Sequence, residues 1–333
     1  MLRHIHITAP AKVNLSLKVL NRREDGYHDI VTIFERIGLA DEICIGRLDK
    51  GIKVSSSVPI TRKAEDNLVY RAARAILDYS GSGEGVDIFI EKNIPLAGGL
   101  GGGSSDAAGA LVGINRLLGL KLSKNELYDL GGRIGADVPF FLSGATFALG
   151  SGRGDIIRPI RGGKSFHHLL IWPGFSLSTK DVYDRFDELR GLTPRANSVA
   201  GSSHRGKVRD LTPPVNWAAG SSHRGKVRDL TNTGLGDKIY PAFILKRSVF
   251  KPDSILHNDL QEAAISVRPD IKDIIERLAE ALETSCMISG SGPSVFCLLK
   301  GRKEALIARD TVLRSFLPRE RKGWKIFVVR TLS

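Results

Sequence analysis

The sequence predicts an α+β fold rather than a doubly wound parallel sheet. Strand and helix patterns alternate through both halves of the chain, but the N-terminal region is rich in strand patterns before the first helix pattern. The chain has 333 residues, of which 42% are hydrophobic, which is enough for two domains with cores of their own.

The chain begins with two strand patterns and a helix. Residues 5–8 and 13–20 read as strands, and we expect a break at Pro10 because proline cannot donate a ladder hydrogen bond. Asp66 or Asn67 can cap a helix. The apolar residues of this helix fall at helical spacing and are Leu68, Ala72, Ala73, Ile76 and Leu77.

A second strand and helix follow. A glycine-serine turn at 81–85 precedes a strand pattern at 86–92, and a glycine-rich segment then leads into a helix that stops at Gly119. The inward residues of that helix are Ala107, Ala110, Leu111, Ile114, Leu117 and Leu118.

Two further helices are predicted before the middle of the chain. Ser123 and Glu126 have the spacing of a capping box, which opens a helix. Residues 135–141 predict a short apolar helix with Pro139 in its first turn, where proline is tolerated.

The region 154–164 is rich in glycine and arginine and is the candidate domain boundary. We therefore expect one domain at residues 1–160 and a second at residues 161–333. In the second domain, strand patterns occur at 169–172, 287–289, 295–299 and 325–329, and helix patterns at 269–282 and 303–316.

A polar, basic segment occurs twice. Residues 200–212 recur identically at 219–231, and neither copy has a periodic apolar face. Two copies are too few for a solenoid, which needs at least three repeats. We expect an exposed insertion near 195–240, which is either a tolerated duplication in a surface loop or an arm that binds an anionic partner.

The formal net charge of +13 admits two kinds of partner. A basic surface can bind nucleic acid, or it can attract a small anionic substrate. The basic residues are mostly scattered and no RNA-binding motif accompanies them, so the pattern favours a small molecule. No apolar run predicts a membrane span or a signal peptide. Cys44, Cys286 and Cys297 have neither metal-site spacing nor a disulfide framework, which suits a reducing cytoplasm.

The most informative segment is the glycine-rich run at 98–103, which has five glycines in six residues. Glycine lets the backbone approach a ligand closely, and a helix N-terminus adds free N–H groups with partial positive charge. The segment therefore predicts a phosphate site. It lacks the lysine of a P-loop and the spacing of a dinucleotide fingerprint. A flexible linker is the alternative, which the strand before it and the helix after it disfavour.

Three motifs of this chain resemble those of the GHMP kinases. Pro95-Leu-Ala-Gly-Gly-Leu-Gly-Gly-Gly-Ser-Ser-Asp106 looks like their ATP loop. Ala9-Pro-Ala-Lys-Val-Asn-Leu15 is similar to their N-terminal motif, and Ser289-Gly-Ser-Gly-Pro-Ser294 to their C-terminal glycine motif. The resemblance implies an N-terminal domain like domain 2 of ribosomal protein S5, a ferredoxin-like C-terminal domain, and a site in the cleft between them.

Shorter motifs resemble one branch of this superfamily, namely Asp25-Gly-Tyr-His28, Asn67-Leu-Val-Tyr70 and Gly135-Ala-Asp-Val-Pro139. The resemblance implies that ATP and Mg²⁺ are used to phosphorylate the tertiary 2-hydroxyl of a cytidylyl methylerythritol, in the non-mevalonate route to isoprenoids. A homoserine- or mevalonate-type kinase is one alternative, and a basic nucleic-acid-binding protein is another.

For the oligomeric state, we expect a monomer or a homodimer.

The resemblance also assigns roles to residues. It implies that Lys12 and Asp137 are catalytic, with Asp137 either a base or a positioning charge; capping of the short helix is the alternative for Asp137. Substrate contacts are implied for Asn14, Tyr27, His28 and Tyr183, and the alternative for Tyr183 is packing on a helix. ATP contacts are implied for Pro95, Leu96, Ala97, Gly98, Gly99, Leu100, Gly101, Gly102, Gly103, Ser104 and Ser105. Either serine can instead be a plain N-cap, and no metal ligand is assigned.

Overall fold

The computed structural model describes residues 3–162, 165–192 and 255–332. The repeated segment and the expected insertion near 195–240 lie outside these residues. The described chain forms two sheets that carry helices, which confirms the α+β prediction.

The first sheet has seven strands in the described residues. They are β1 (His4–Arg22), β2 (His28–Leu48), β3 (Ile52–Ser56), β4 (Gly85–Glu91), β5 (Phe147–Ser151), β6 (Ile156–Ile160) and β8 (His257–Asn258). The order is β3-β4-β2-β1-β8, with β5 paired to β2 and β6 paired to β5. The long antiparallel hairpin of β1 and β2 forms the centre of this sheet, and β8 lies parallel to β1.

The predicted break at Pro10 is wrong, because β1 continues through that residue. The register against β2 shifts between Pro10 and Ala11, from a pairing with Ala40 to one with Ile37. A bulge of this kind absorbs the missing N–H of proline without ending the strand.

Four helices follow the predicted positions closely. They are α1 (Leu68–Ser80), α2 (Gly102–Leu118), α3 (Lys124–Ile134) and α4 (Val138–Ser143). The Asn67 side chain caps α1, Ser123 and Glu126 form the predicted capping box, and Gly119 ends α2 in the left-handed conformation. The buried faces of these helices and of the first sheet share one hydrophobic core.

The second sheet has the order β11-β7-β10-β9 and is antiparallel throughout. Its strands are β7 (His167–Trp172), β9 (Cys286–Ile288), β10 (Val295–Leu299) and β11 (Lys325–Arg330). In the described residues, four helices pack with it and form a second core: α5 (Thr179–Leu189), α6 (Gln261–Val267), α7 (Asp270–Leu282) and α8 (Arg302–Ser315).

The expectation that the cysteines lack a disulfide is wrong. Cys286 and Cys297 are direct cross-strand partners on β9 and β10, with a Cα–Cα distance of 4.6 Å, and they form a disulfide. Two strands in register bring their opposed residues close together. Sequence spacing alone does not reveal this, because the pairing depends on the hairpin register.

A third cluster of buried residues joins the two sheets. It includes Val13 and Ile33 of the first sheet and Leu170 and Phe296 of the second. The chain also returns to the first sheet through β8, after helix α5, which carries part of the second core. The domain division at 160/161 stays a prediction.

Candidate active site

A cavity of about 1110 Å³ collects nearly all of the predicted site residues. Of the predicted set, the residues that line it are Lys12, Asn14, Tyr27, His28, Pro95, Leu96, Ala97, Gly98, Gly99, Leu100, Gly101, Gly102, Gly103, Ser104, Asp137 and Tyr183. Ser105 is the exception. Its side chain is buried in the first turn of α2, and its hydroxyl has no hydrogen-bond partner in the described residues.

The glycine loop presents the N-terminus of α2 to this cavity. Gly99 and Gly101 have φ of 76° and 70°, a left-handed conformation that glycine adopts without a steric penalty. No side chain of the described residues caps the N-terminus of α2, where Gly101 is the N-cap. The first N–H groups of the helix are therefore available to an anion, as the sequence predicted.

The loop rests on the C-terminal glycine motif. The Ser289 hydroxyl donates to the Gly99 carbonyl at 2.9 Å, and the Ser294 N–H donates to the Gly98 carbonyl at 3.3 Å. A Cβ added at Gly99 would collide with the Ser289 carbonyl oxygen. Two motifs almost two hundred residues apart in the chain thus form one surface, with backbone against backbone.

Lys12 is buried beside this loop, with only 4% of its surface exposed. Its ammonium donates to Asn14 Oδ1 at 2.6 Å and to the Gly99 carbonyl at 3.0 Å, and it lies 3.6 Å from Asp137 Oδ2. Asn14 in turn donates to Thr32 Oγ1 at 2.8 Å. Because a buried charge is costly unless it is paired, these contacts hold the ammonium in one place.

Asp137 lies at the start of α4, at the N-cap position. Its side chain makes no capping hydrogen bond to that helix, and 30% of the side chain is exposed. The geometry therefore favours a carboxylate that faces the cavity over the helix-capping alternative.

Aromatic rings form another part of the cavity wall. The rings of His28 and Tyr183 are stacked, with centroids 5.0 Å apart, and burial together with the Asp137 carboxylate raises the pKa of Tyr183. Tyr27 is 57% exposed, and the Arg153 guanidinium lies over its ring at 5.2 Å. An exposed ring of this kind can stack on a planar ligand.

Several residues of the cavity wall are not among those predicted from the sequence. Ile60, Thr61 and Leu68 line the end beyond the glycine loop, where Gly103 approaches Leu68. Asn67 was predicted as a helix cap and as part of a family motif, but not as a residue of the site. The motif from Asn67 to Tyr70 was the available signal for this end.

A buried ion-pair cluster lies under the loop and was also missed. The Lys92 ammonium contacts the carboxylates of Asp41 and Asp106, the latter at 2.7 Å. Burial raises the pKa of Asp106 to about 7, against the lowering effect of Lys92. One lysine cannot fully compensate two desolvated carboxylates, so this cluster is sensitive to proton binding.

Comparison with known proteins agrees with this architecture. The family model described as GHMP kinases N terminal domain matches residues 67–145, and the one described as GHMP kinases C terminal matches residues 247–318. The homoserine kinase from Cytophaga hutchinsonii shares the fold, with a TM-score of 0.65 at 18% identity over 100% of this chain and 95% of that one. The fold and the glycine loop thus define a kinase of the GHMP type.

Relatives with higher sequence identity show to which family of GHMP kinases the chain belongs. A 4-diphosphocytidyl-2-C-methyl-D-erythritol kinase of Geobacter metallireducens is 37% identical over 99% of this chain and 100% of its own, and one of Syntrophus aciditrophicus is 34% identical over 99% and 100%. A crystal structure of 4-(cytidine 5'-diphospho)-2C-methyl-D-erythritol kinase has a TM-score of 0.67 at 28% identity and covers 99% of this chain and 100% of that one. The chain belongs to the family of 4-diphosphocytidyl-2-C-methyl-D-erythritol kinases.

Proposed function

We propose that this enzyme transfers the γ-phosphoryl group of ATP to the 2-hydroxyl of 4-diphosphocytidyl-2-C-methyl-D-erythritol. The observation that carries the proposal is the buried Lys12 ammonium, 3.6 Å from Asp137 and bonded to the carbonyl of Gly99 in the glycine loop. The identity of the substrate is inferred from the family, and the position of phosphoryl transfer is inferred from these contacts of Lys12.

The glycine loop would hold the ATP phosphates. The uncapped N–H groups at the start of α2 provide donors that need no side chain, and the partial positive charge of the helix N-terminus favours a polyanion. The neighbouring end of the cavity, with Ile60, Asn67 and Leu68, would take the base of the nucleotide.

Lys12 and Asp137 would act on the acceptor alcohol. Asp137 accepts the hydroxyl proton or orients the hydroxyl for in-line attack, and Lys12 stabilises the negative charge that spreads over the transferred phosphoryl group. Because Asn14 and Gly99 fix the Lys12 ammonium before substrate arrives, little reorganisation is needed during the reaction.

Mg²⁺ would enter with the nucleotide phosphates. The described residues contain no cluster of three histidine, cysteine, aspartate or glutamate side chains that could hold a metal alone. Magnesium keeps most of its waters and needs few protein ligands, so the residues fit a nucleotide-borne ion. The Ser104 hydroxyl, which lines the cavity beside the loop, would be its contact. When bound, the ion neutralises phosphate charge.

The aromatic part of the cavity would take the cytosine. Tyr27 offers an exposed ring, and His28 offers an imidazole backed by Tyr183. Homoserine and mevalonate have no base that could stack on these aromatic side chains, which disfavours a homoserine- or mevalonate-type kinase. In the described residues no helix is long and apolar enough to span a membrane.

The test is ADP release from Mg-ATP with the cytidylyl substrate, beside the same alcohol phosphate without the cytidine. Turnover is expected only with the cytidylyl substrate. Lys12→Met and Asp137→Asn should each lower kcat by about 100-fold or more, by analogy with the loss of other transition-state-stabilising groups. Lys53→Met, which removes an exposed lysine paired with Asp87, is the control and should leave kcat unchanged. Near-normal turnover in both Lys12→Met and Asp137→Asn would refute the assignment.

A further inference from the structure

Asp187 is a buried carboxylate in the wall of the cavity that the proposed reaction does not use. Its Oδ1 lies 2.7 Å from His28 Nε2, and its Oδ2 lies 3.3 Å from the Arg22 guanidinium. The side chains of Asp187 and His28 are 2% and 4% exposed. A desolvated carboxylate of this kind must be satisfied by its donors, so the contact with His28 is a strong constraint on the imidazole.

Helix α5 brings two side chains to the same imidazole. Tyr183 and Asp187 are four residues apart, so they project from the same face of the helix. Tyr183 stacks on the ring of His28, while Asp187 contacts its Nε2. The plane and the rotation of the ring are therefore both set by α5.

The contact with Asp187 also determines which nitrogen carries the proton. An ionised carboxylate only accepts hydrogen bonds, so Nε2 must be the donor. In the neutral ring Nδ1 is then an acceptor, and it has no hydrogen-bond partner in the described part of the chain.

We propose that Asp187 is a positioning residue that sets base specificity by fixing His28 as the tautomer whose Nδ1 accepts from the amino group of cytosine. This inference rests on the proposed function. The amino group is the only donor on a cytosine ring linked to its sugar, so an acceptor can pair with that base only there. Uracil carries a carbonyl oxygen at the same position, which would face Nδ1 acceptor to acceptor.

Asp187→Asn tests the proposal without a large change in shape. Arg22 can only donate, so it would hold the oxygen of the new amide and turn the NH₂ group toward His28 Nε2. Nε2 must then accept, and the proton moves to Nδ1. The ratio of kcat/KM for the cytidine substrate to that for its uridine analogue should fall by about tenfold or more, since a mismatched buried polar pair is strongly rejected.

Glu188→Gln is the matched control, with the same charge change at the next residue of α5. Glu188 is 52% exposed at its side chain and pairs with Arg185, so its replacement should leave the ratio unchanged. If Asp187→Asn lowers kcat/KM equally for both bases, Asp187 has only a structural role and the proposal is overturned.

A second measurement needs no turnover. The ¹⁵N spectrum of histidine-labelled protein, with His28 assigned by His28→Gln, should show protonated Nε2 in the wild type and protonated Nδ1 in Asp187→Asn. Protonated Nδ1 in the wild type would overturn the proposal even if Asp187→Asn fails to fold. If the wild-type enzyme turns over neither nucleotide substrate, the proposed function fails, and the spectrum alone decides whether Asp187 sets the tautomer.

Discussion

Replacement of Gly99 by alanine should separate the two glycine motifs. The residue has φ of 76°, which costs a non-glycine residue about 1–2 kcal/mol. The new Cβ would collide with the Ser289 carbonyl oxygen and lie 3.0 Å from the Gly292 carbonyl oxygen. Relief of that collision would break the hydrogen bonds that the Gly99 carbonyl accepts from Ser289 and Lys12, each worth about 1 kcal/mol. The sum is roughly 3–4 kcal/mol against the arrangement in which the loop rests on the turn. Because the proposed reaction takes place in that arrangement, whereas Gly119 has no part in it, a shift of this size corresponds to a loss of about 100- to 1000-fold in kcat/KM.

The assay is steady-state ADP release at varied ATP concentration, together with thermal melting. Gly119→Ala is the control because Gly119 has φ of 67° but nothing within 4 Å of an added Cβ. It should cost about 1–2 kcal/mol of stability from the backbone alone and leave kcat/KM unchanged. If Gly99→Ala kept kcat/KM within about threefold of the wild type, close contact between the loop and the turn would not be needed for activity.

Three further predictions concern Asp106 in the buried ion-pair cluster, the Ser123 cap of α3, and Tyr183 in the aromatic part of the cavity wall. Since burial raises the pKa of Asp106 to about 7, the stability it contributes is full below its unfolded value of 3.8 and is lost as pH rises through 7. Asp106→Asn should therefore be more stable than the wild type in urea melts at pH 8, with a smaller gain or a loss at pH 5; an unchanged difference would refute the linkage. Ser123→Ala should lower the free energy of unfolding by about 1 kcal/mol with normal kcat, because it removes the cap of α3; an unaltered urea midpoint would contradict this. Tyr183→Leu should raise KM for the cytidylyl substrate about three- to tenfold and leave KM for ATP unchanged, because it removes the ring stacked on His28; equal effects on both would argue against that role.

Local chemistry made much of the fold predictable. The cap at Asn67, the capping box at Ser123 and the left-handed Gly119 depend on residues within one or two turns, and the structure has each of them as expected. The glycine loop was predictable for the same reason, since its conformation and the helix after it are encoded in one continuous segment.

Strands that lack a clear alternation were harder to predict. The 21 residues of β2 were not identified, although they pair with β1, β4 and β5. Residues 30–35 of β2 are buried on both faces, which removes the alternation of polar and apolar residues that marks a half-exposed strand. Residues 37–45 do alternate in burial, and that signal was overlooked. The bulge at Pro10 was missed because it depends on the partner strand. The register of β1 against β2 shifts next to Pro10, and this shift accommodates the missing N–H group of the proline.

The sequence by itself determined helices α1 to α4, α7 and α8, the caps of α1 and α3, the phosphate-binding character of the glycine loop and the family resemblance. It did not predict helices α5 and α6. Only the tertiary structure decided that Gly99 rests on Ser289, that Cys286 faces Cys297, and that Asp187 contacts His28. The physical reason is range. Dihedral preferences and capping act over a few residues, whereas these contacts join distant segments whose proximity follows from sheet register and from the packing of one core against another.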